Sequence, residues 1–373
     1  MFTPVLFTLG ILALPVGQDA PAVQKDVAGP VQAKGLSRET LKKGAQICRE
    51  SVLGLIQLQD ADDGSWQLGE ASSPPPVAVT ALSVLALMSC GEIPGRTKNG
   101  KAVERGILYL LSRQDRRGGK RDGYIGFEAD RFSRMHGHGY ATLALAEALG
   151  MMSKQDDALL TEKHLRNGLE RAVDLIEKSQ EKETGGWYYD PAPTGHEGSM
   201  TICMVQALRA AKNAGIEVDP KVIFRAVRYV ERSQKPDGSF RYKLGDKRSS
   251  VALTAAAVAT LEAAGAWKNP VLLKGQSFLV DKNLHAGLRS QRFTPSSSRF
   301  PYYERLYIAQ ALFFARDLGP YRRWYSRLVD QLGRDRDPAT ATWSSKRYSS
   351  AYATAMNLIV LSMPQQFLPI HQR

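Results

Sequence analysis

Histidines and carboxylates stand at the predicted starts of several helices, where their side chains could do acid–base chemistry. His136 and His138 open one small-residue helix, and His196 and Glu197 precede another. Imidazoles and carboxylates are the side chains that most often act as general acids and bases. Glu304 begins a further helix and is the second carboxylate that paired-carboxylate catalysis would need opposite Glu197. His196, Glu197 and Glu304 are therefore the candidate catalytic residues.

A larger set of aromatic and polar residues near helix starts could hold a ligand. These candidate ligand-binding residues are His136, His138, Tyr140, Asp190, Tyr302, Tyr303, Tyr307 and Tyr352. A single histidine at a helix start usually hydrogen-bonds locally. The prediction therefore depends on several of these residues lying together at one end of the fold. His136, His138 and His196 have the chemistry of metal ligands. A His-x-His pair on a helix points its two rings apart, so the sequence predicts neither a metal nor another cofactor.

The elements that position these residues follow a repeating pattern. A glutamine is followed by a glycine-containing loop with an aromatic residue, and then by a helix rich in small residues. The residues that define this pattern are Gln59, Gly64, Trp66, Gln114, Gln180, Gly186, Trp187, Gln234, Gly238 and Phe240. A weaker copy contains Gln331 and Trp343. Recurrence at roughly 50 residues is typical of a repeat architecture.

Helical patterns fill nearly the whole chain from Ser37 onward and fall into six pairs. In each pair the first helix is amphipathic, and the second is apolar or small on nearly all faces, which predicts a buried helix. The fold class predicted is all-α: an α/α toroid, or α6/α6 barrel, of about twelve helices in six hairpin repeats. The six inner helices would run parallel, and their N-termini would favour anions. The toroid should span residues 37–365, followed by a tail at 366–373.

The N-terminal residues are predicted to direct export. An apolar run of about a dozen residues, too short to span a bilayer, is followed by small residues. Residues 1–20 therefore indicate a secretory signal peptide, although no Lys or Arg precedes the apolar run. Residues 21–36 have the composition of a flexible linker. We expect a periplasmic or secreted protein with no stable transmembrane segment after processing.

Composition limits the classes of partner. The net charge is +13 with a pI near 9.6, which favours anionic partners. The basic residues are spread over many helices without a dense run, so nucleic acid is not a predicted partner. Cys48, Cys90 and Cys203 lie in apolar helical segments, which is typical of buried thiols.

The repeat resembles that of a known superfamily. Gln-x(4)-Gly-x-Trp at Gln59–Trp66 resembles the QW repeat of the squalene–hopene cyclase and protein prenyltransferase superfamily. The resemblance covers residues 37–363, and the closing helix around Tyr352 and the tail resemble an exported, single-toroid branch. It implies that each glutamine binds backbone groups at neighbouring helix ends while the aromatic residue packs over it. The repeat is specific for fold rather than for activity.

The catalytic signatures of that superfamily do not carry over. Asp60-Ala61-Asp62-Asp63 matches the acid string of class II cyclases, but it lies inside the structural loop after Gln59, whereas a protonating acid needs a buried site. None of the three cysteines has the Asp two residues earlier that the prenyltransferase zinc site requires. Ser89-Cys90-Gly91-Glu92-Ile93 resembles the complement-like thioester motif, but Ile93 replaces the glutamine that donates the acyl group.

These observations favour an exported toroid protein that binds a ligand or a partner where the inner helices begin. The expected ligand is apolar, peptide-like or anionic, and a protein partner in the cell envelope is also expected. Two alternatives stay open: a non-standard enzyme acting on isoprenoid or polysaccharide substrates, and a structural module of an exported assembly. The structural module predicts a barrel filled by side chains.

Overall fold

The computed structural model describes residues 35–67, 76–128, 130, 133–152, 160–266, 268–281, 299–345 and 348–372. The expected signal peptide at 1–20, all but the last two residues of the expected linker at 21–36, and the polar segment 283–298 lie outside these ranges. Within them the regular structure is helical, and pairing between extended segments is limited to isolated bridges. No described helix is long and apolar enough to cross a membrane.

Twelve α-helices make up the described structure. They are α1 Arg38–Gln57, α2 Val77–Ser89, α3 Gly100–Ser112, α4 Arg134–Met151, α5 Glu162–Lys178, α6 Gly198–Asn213, α7 Pro220–Arg232, α8 Val251–Ala263, α9 Pro270–Leu279, α10 Pro301–Phe313, α11 Gly319–Asp335 and α12 Ser350–Ser362. Two 3₁₀ turns follow, at Met363–Gln365 and Pro369–His371.

The even-numbered helices form a closed inner ring. Each packs on the next, from α2 through α4, α6, α8, α10 and α12, and α12 returns to α2. The odd-numbered helices lie outside this ring and pack on their inner neighbours. The predicted all-α toroid is therefore confirmed.

Residue composition explains which helix lies inside. Of the thirteen residues of α2, Ala78 alone is not buried, because the helix is apolar or small on all faces. The outer helix α7, also of thirteen residues, buries Val222, Ala226, Tyr229 and Val230 and turns its charged face to solvent.

The repeat glutamines join each loop to the next outer helix. Gln180 Nε2 donates to Gly185 O and to Val222 O of α7, both at 2.9 Å. The same pair of bonds recurs from Gln59 to Gly64 and Ala102, from Gln114 to Gly123 and Gly168, and from Gln234 to Gly238 and Val271. Because the acceptor in the second bond lies in the following outer helix, each glutamine links two successive hairpins.

The aromatic residue of each loop links outer and inner layers. Trp187 Nε1 donates to Ile176 O of α5 at 2.7 Å, and its backbone N–H donates to Thr201 Oγ1 of α6 at 3.2 Å. Equivalent bonds to an inner-helix threonine join Trp66 to Thr80, Phe240 to Thr254, and Trp343 to Thr354. The indole or phenyl ring is thereby fixed between the two layers.

Two residue assignments within the repeat are corrected by these bonds. Gly185, not Gly186, is the equivalent of Gly64, since both accept from the glutamine and both have positive φ. In the last copy, Trp343 Nε1 donates to Leu332 O, which places Arg336 rather than Gln331 at the glutamine position. Arg336 reaches Glu50 and Ser51 of α1 and so joins the last hairpin to the first.

The C-terminal residues pack across the end of the ring at which the inner helices finish. The turn Pro369–His371 contacts α4 and α6, and Leu368 is buried. The backbone N–H of Ile370 donates to Glu147 Oε2 near the end of α4 at 3.2 Å. The tail therefore packs on the toroid as part of its core.

Candidate functional site

The inner helices all begin at one end of the ring, which we call the mouth. An outer helix of opposite direction precedes each of them, so their N-termini share one side. Backbone bonds between successive loops connect this end: Met135 N donates to Tyr189 O, and Gly198 N donates to Tyr242 O. Side-chain caps at Ser250 and Ser349 fix the starts of α8 and α12.

Four polar side chains cross the barrel below the mouth. Gln206 of α6 donates from Nε2 to Gln310 Oε1 of α10 at 2.9 Å, and it accepts from Tyr307 OH at 3.4 Å. Tyr140 of α4 lies close enough to Tyr307 that the charge of Tyr307, after burial, raises the pKa of Tyr140 further. In the ring, α8 separates α6 from α10, so the bonds from Gln206 cross part of the bore. Since α4 and α10 are opposite each other, the approach of Tyr140 to Tyr307 spans it as well. We call Tyr140, Gln206, Tyr307 and Gln310 the floor.

The depth of the floor follows from helix geometry. Tyr140 is six residues after the first residue of α4, and Tyr307 is six residues after the first residue of α10. At 1.5 Å per residue, the floor lies about 9 Å below the mouth. We call the region between the floor and the mouth the cup.

Tyr303 stands in the cup with an unsatisfied hydroxyl group. Its ring centroid is 4.5 Å from that of Tyr307. Its hydroxyl oxygen is buried and has no hydrogen-bond partner among the described residues. Burial, followed by the nearby charges of Tyr140 and Glu197, raises the pKa of Tyr303 well above its usual value. The phenol therefore stays protonated and can donate.

Aromatic rings line the rim of the cup on two sides. On one side, Tyr302 of α10 packs edge-on against Tyr348 and Tyr352, at 6.1 and 5.6 Å between centroids. Arg305 lies near the Tyr302 ring and is held by the amide oxygen of Asn357. This side of the rim is therefore aromatic with one partly buried cation.

The opposite side of the rim is built from α4 and the loops before α6 and α8. His136 lies 6.5 Å from Tyr140 and 5.9 Å from Tyr189, between ring centroids. The hydroxyl groups of Tyr189 and Tyr242 are 2.5 Å apart. His136 Nε2 lies 3.1 Å from Ser199 Oγ, and burial lowers the pKa of His136 to about 4. The imidazole is therefore neutral at physiological pH.

Glu197 and Asp190 are each engaged in local contacts. Glu197 caps α6: its two carboxyl oxygens accept from Ser199 N, Met200 N and Ser199 Oγ at 2.6–3.0 Å. Burial raises the pKa of Glu197 above its usual value. Asp190 is half-exposed and paired with Arg134 at 2.6 Å. Glu304 is partly exposed in the first turn of α10.

The other two candidate histidines, His138 and His196, make local contacts. His138 Nδ1 accepts from Ile125 N, and its Nε2 lies 3.2 Å from Ala172 O of the outer helix α5. His138 thus takes the place that the loop-binding threonine has in other repeats, and it faces the outer layer. His196 Nδ1 lies 3.2 Å from Tyr229 OH of α7. In the described part of the chain, no three His, Cys, Asp or Glu side chains are grouped to hold a metal ion.

The Asp60–Asp63 string forms a turn on the outside of the toroid. Asp60 Oδ1 accepts from the backbone N–H groups of Asp62 and Asp63, and Arg105 donates to Asp60 O. Its position in the loop matches the structural role expected from the sequence.

Sequence reasoning placed Arg305 among the residues that could join the rim, but it missed the floor glutamines and Asn357. The signal available was a polar residue inside a helix that is otherwise small and apolar, as Gln206 is in α6. That signal identifies a buried polar group, but it does not show which helix carries the partner.

The fold is similar to those of terpene cyclases and glycosidases. A type II terpene cyclase, MstE from Scytonema, shares 14% identity at a TM-score of 0.57, over 88% of this chain and 99% of the cyclase. The GH76A α-1,6-mannanase from Salegentibacter sp. HEL1_6 shares 9% identity at a TM-score of 0.58, over 86% and 98%. No protein-family model and no curated protein matches the sequence. These similarities show the α/α toroid fold alone.

Proposed function

We propose that the protein binds a mainly apolar ligand in the cup, with one polar group of the ligand accepting a hydrogen bond from Tyr303. The observation that carries the proposal is the buried, unpartnered hydroxyl group of Tyr303 above the floor. A buried donor without a partner costs about 1–3 kcal/mol. A ligand oxygen at this point would remove that cost.

The walls of the cup suit an apolar ligand body. Tyr302, Tyr352 and Tyr140 present ring surfaces, and neutral His136 adds a fourth. Aromatic side chains supply large apolar contact areas at fixed positions. The floor limits how deeply such a ligand can enter.

We favour binding over catalysis because both carboxyl oxygens of Glu197 already accept hydrogen bonds. Paired-carboxylate hydrolysis needs an acid and a second carboxylate across the substrate, yet Glu197 is fully engaged in capping α6. Cyclisation or glycoside cleavage, as the names of the similar structures describe for those proteins, is therefore not the function proposed here.

Export and a protein partner in the cell envelope are part of the proposal. They rest on the sequence pattern of residues 1–20 and on the charged outer helices. N-terminal sequencing of protein purified from its own host should give a chain that begins after the apolar run. Retention of residue 1 in mature protein would contradict export.

The binding proposal is tested with defined probes. Farnesol and geranylgeraniol carry an apolar body and one hydroxyl group, and mannotriose provides a polar comparison. Titration calorimetry and native mass spectrometry should show a prenyl alcohol bound at one site. Tyr303→Phe should weaken binding about 10-fold, since it removes one hydrogen bond.

A matched variant separates the site from general stability. Tyr321 of α11 also has a buried hydroxyl group without a described partner, but it lies in the outer layer. Tyr321→Phe should leave prenyl alcohol binding unchanged. Equal weakening by both variants, or binding of mannotriose alone, would overturn the proposal. A lack of binding by all three probes would favour the structural-module alternative.

A further inference from the structure

A cationic groove lies on the loop between α7 and α8. It has a volume of about 580 Å³ and is lined by Arg232, Lys235, Arg241, Leu244, Gly245, Asp246 and Lys247. Four of these side chains are cations and one is a carboxylate. Lys235 and Arg241 are half-buried, so their charges are less screened by water than those of fully exposed cations.

The single carboxylate does not neutralise the groove. Asp246 accepts from Arg248 Nε through both oxygens and from Arg248 Nη2 at 2.7 Å. Arg248 lies outside the lining of the groove. The side-chain bond with Arg248 lowers the pKa of Asp246 to about 2. Asp246 therefore remains ionised and is already balanced by Arg248.

Three of the four lining cations are oriented by neutral partners. Arg241 Nη1 donates to Gln234 O at 2.7 Å, and Arg232 Nη2 donates to Thr184 O at 2.5 Å. Lys235 Nζ donates to Ser249 Oγ at 3.2 Å. Carbonyl and hydroxyl oxygens position a cation without cancelling its charge, so the groove keeps its positive potential.

The loop that carries the groove has a defined backbone. Arg241 and Ser249 form an antiparallel bridge, and Tyr242 N donates to Arg248 O. Gly245 takes a left-handed conformation at the tip. Tyr242 attaches this hairpin to Tyr189 of the preceding loop. Arg241 and Lys247 therefore lie on a hairpin that is fixed at its base, while Arg232 and Lys235 lie at and just after the end of α7.

We propose that this groove binds a multivalent oxyanion, a phosphate or sulfate group carrying two or more negative charges. Arginine forks and lysine ammonium groups are the side chains that match such oxygens. The site is separate from the cup and does not depend on a ligand there. The oxyanion is either a free ion or an ester group on a larger molecule.

The test compares inorganic phosphate, pyrophosphate and a sulfated oligosaccharide by titration calorimetry on the full chain. Lys235→Gln/Lys247→Gln should weaken pyrophosphate binding at least about 10-fold. Lys42→Gln/Lys101→Gln removes the same charge from exposed positions on α1 and α3 and should change binding less than about 2-fold. Arg241→Gln should also weaken binding, and circular dichroism checks that it is folded.

The probes also identify the source of the group. Tight binding of pyrophosphate would indicate a free anion, and binding of the sulfated oligosaccharide alone would indicate an ester on a larger molecule. Equal losses in the two double variants would overturn the proposal, since binding would then reflect net charge alone. Absence of binding by all three probes would overturn it as well.

Discussion

Gly185 and Gly215 both have left-handed backbone conformations, with φ of +83° and +80°. A Cβ atom on Gly185 would lie 2.4 Å from Arg225 O of α7, whereas one on Gly215 would meet nothing within 4 Å. The loop glycine is thus required for close approach as well as for φ. In the last repeat the glycine at the close contact lies in the outer helix instead of the loop. Ala341 takes the left-handed position in the loop, and Gly54 of α1 leaves room for Thr340 O.

These two glycines give a matched pair of substitutions. Gly215→Ala should lower the free energy of unfolding by about 1 kcal/mol, because a left-handed alanine is strained. Gly185→Ala should cost at least about 1 kcal/mol more, since the backbone of α7 must also move. Urea denaturation of both variants measures the difference. Equal losses would show that the contact with Arg225 relaxes freely.

Some single residues could be assigned from sequence and others could not. The role of Gln180 was predictable because a glutamine before a glycine-aromatic loop recurs along the chain. His138 and Glu197 were assigned to the mouth by helix position alone. The orientation of the His138 ring depends on the loop N–H group from which it accepts a hydrogen bond. The two carboxyl oxygens of Glu197 are occupied because α6 begins one residue later. Such contacts are set by tertiary structure.

At the scale of helices and loops, the repeat glutamine is the main connection between successive hairpins. Its amide N–H groups satisfy one carbonyl in its own loop and one in the next outer helix. The sequence predicted this connection for Gln59, Gln114, Gln180 and Gln234, but placed the last copy at Gln331. The local pattern there was ambiguous, because the equivalent position carries Arg336, which binds Glu50 by charge instead.

A comparison of two buried glutamines tests this connection. Gln180→Leu leaves Gly185 O and Val222 O without their donor and should lower the free energy of unfolding by about 2–3 kcal/mol. Gln331→Leu should cost less than about 1 kcal/mol, since Gln331 Oε1 already lacks a described partner. Chemical denaturation followed by circular dichroism measures both. A larger loss of stability for Gln331→Leu than for Gln180→Leu would show that Gln331, as the sequence suggested, is the repeat glutamine of the last copy.

At the scale of the whole molecule, the last inner helix and the C-terminal tail both pack back onto earlier parts of the toroid. The inner helix α12 packs on α2, and the tail reaches back to α4 through Glu147. Glu147 is buried, and its Oε1 has no partner among the described residues. Burial raises the pKa of Glu147 to about 8, so the carboxyl is protonated in the folded protein at neutral pH.

This arrangement predicts a pH-dependent stability. The pKa of Glu147 is raised on folding from about 4.3. The contribution of Glu147 to the free energy of unfolding is therefore complete below about pH 4.3 and is lost as pH rises through about 8. From pH 5 to pH 8 the wild-type protein should lose a few kcal/mol relative to Glu147→Gln, which stays neutral. Urea denaturation at both pH values measures this.

A control separates this effect from a general change of charge. Glu39→Gln removes an exposed carboxylate at the start of α1, and its stability should follow the wild-type pH profile. Parallel profiles for wild type and Glu147→Gln would show that the tail is not sensitive to ionisation of this carboxyl.

The bond from Gln206 to Gln310 joins two inner helices across the bore of the barrel. A ligand held in the proposed cup would meet this bond at its inner end, so it would have to leave by the opening through which it entered. One ligand would then have to depart before another is bound, and exchange would be governed by the lifetime of the occupied state. The proposed binding function would therefore suit storage or hand-over of a single molecule rather than passage of many molecules from one side to the other.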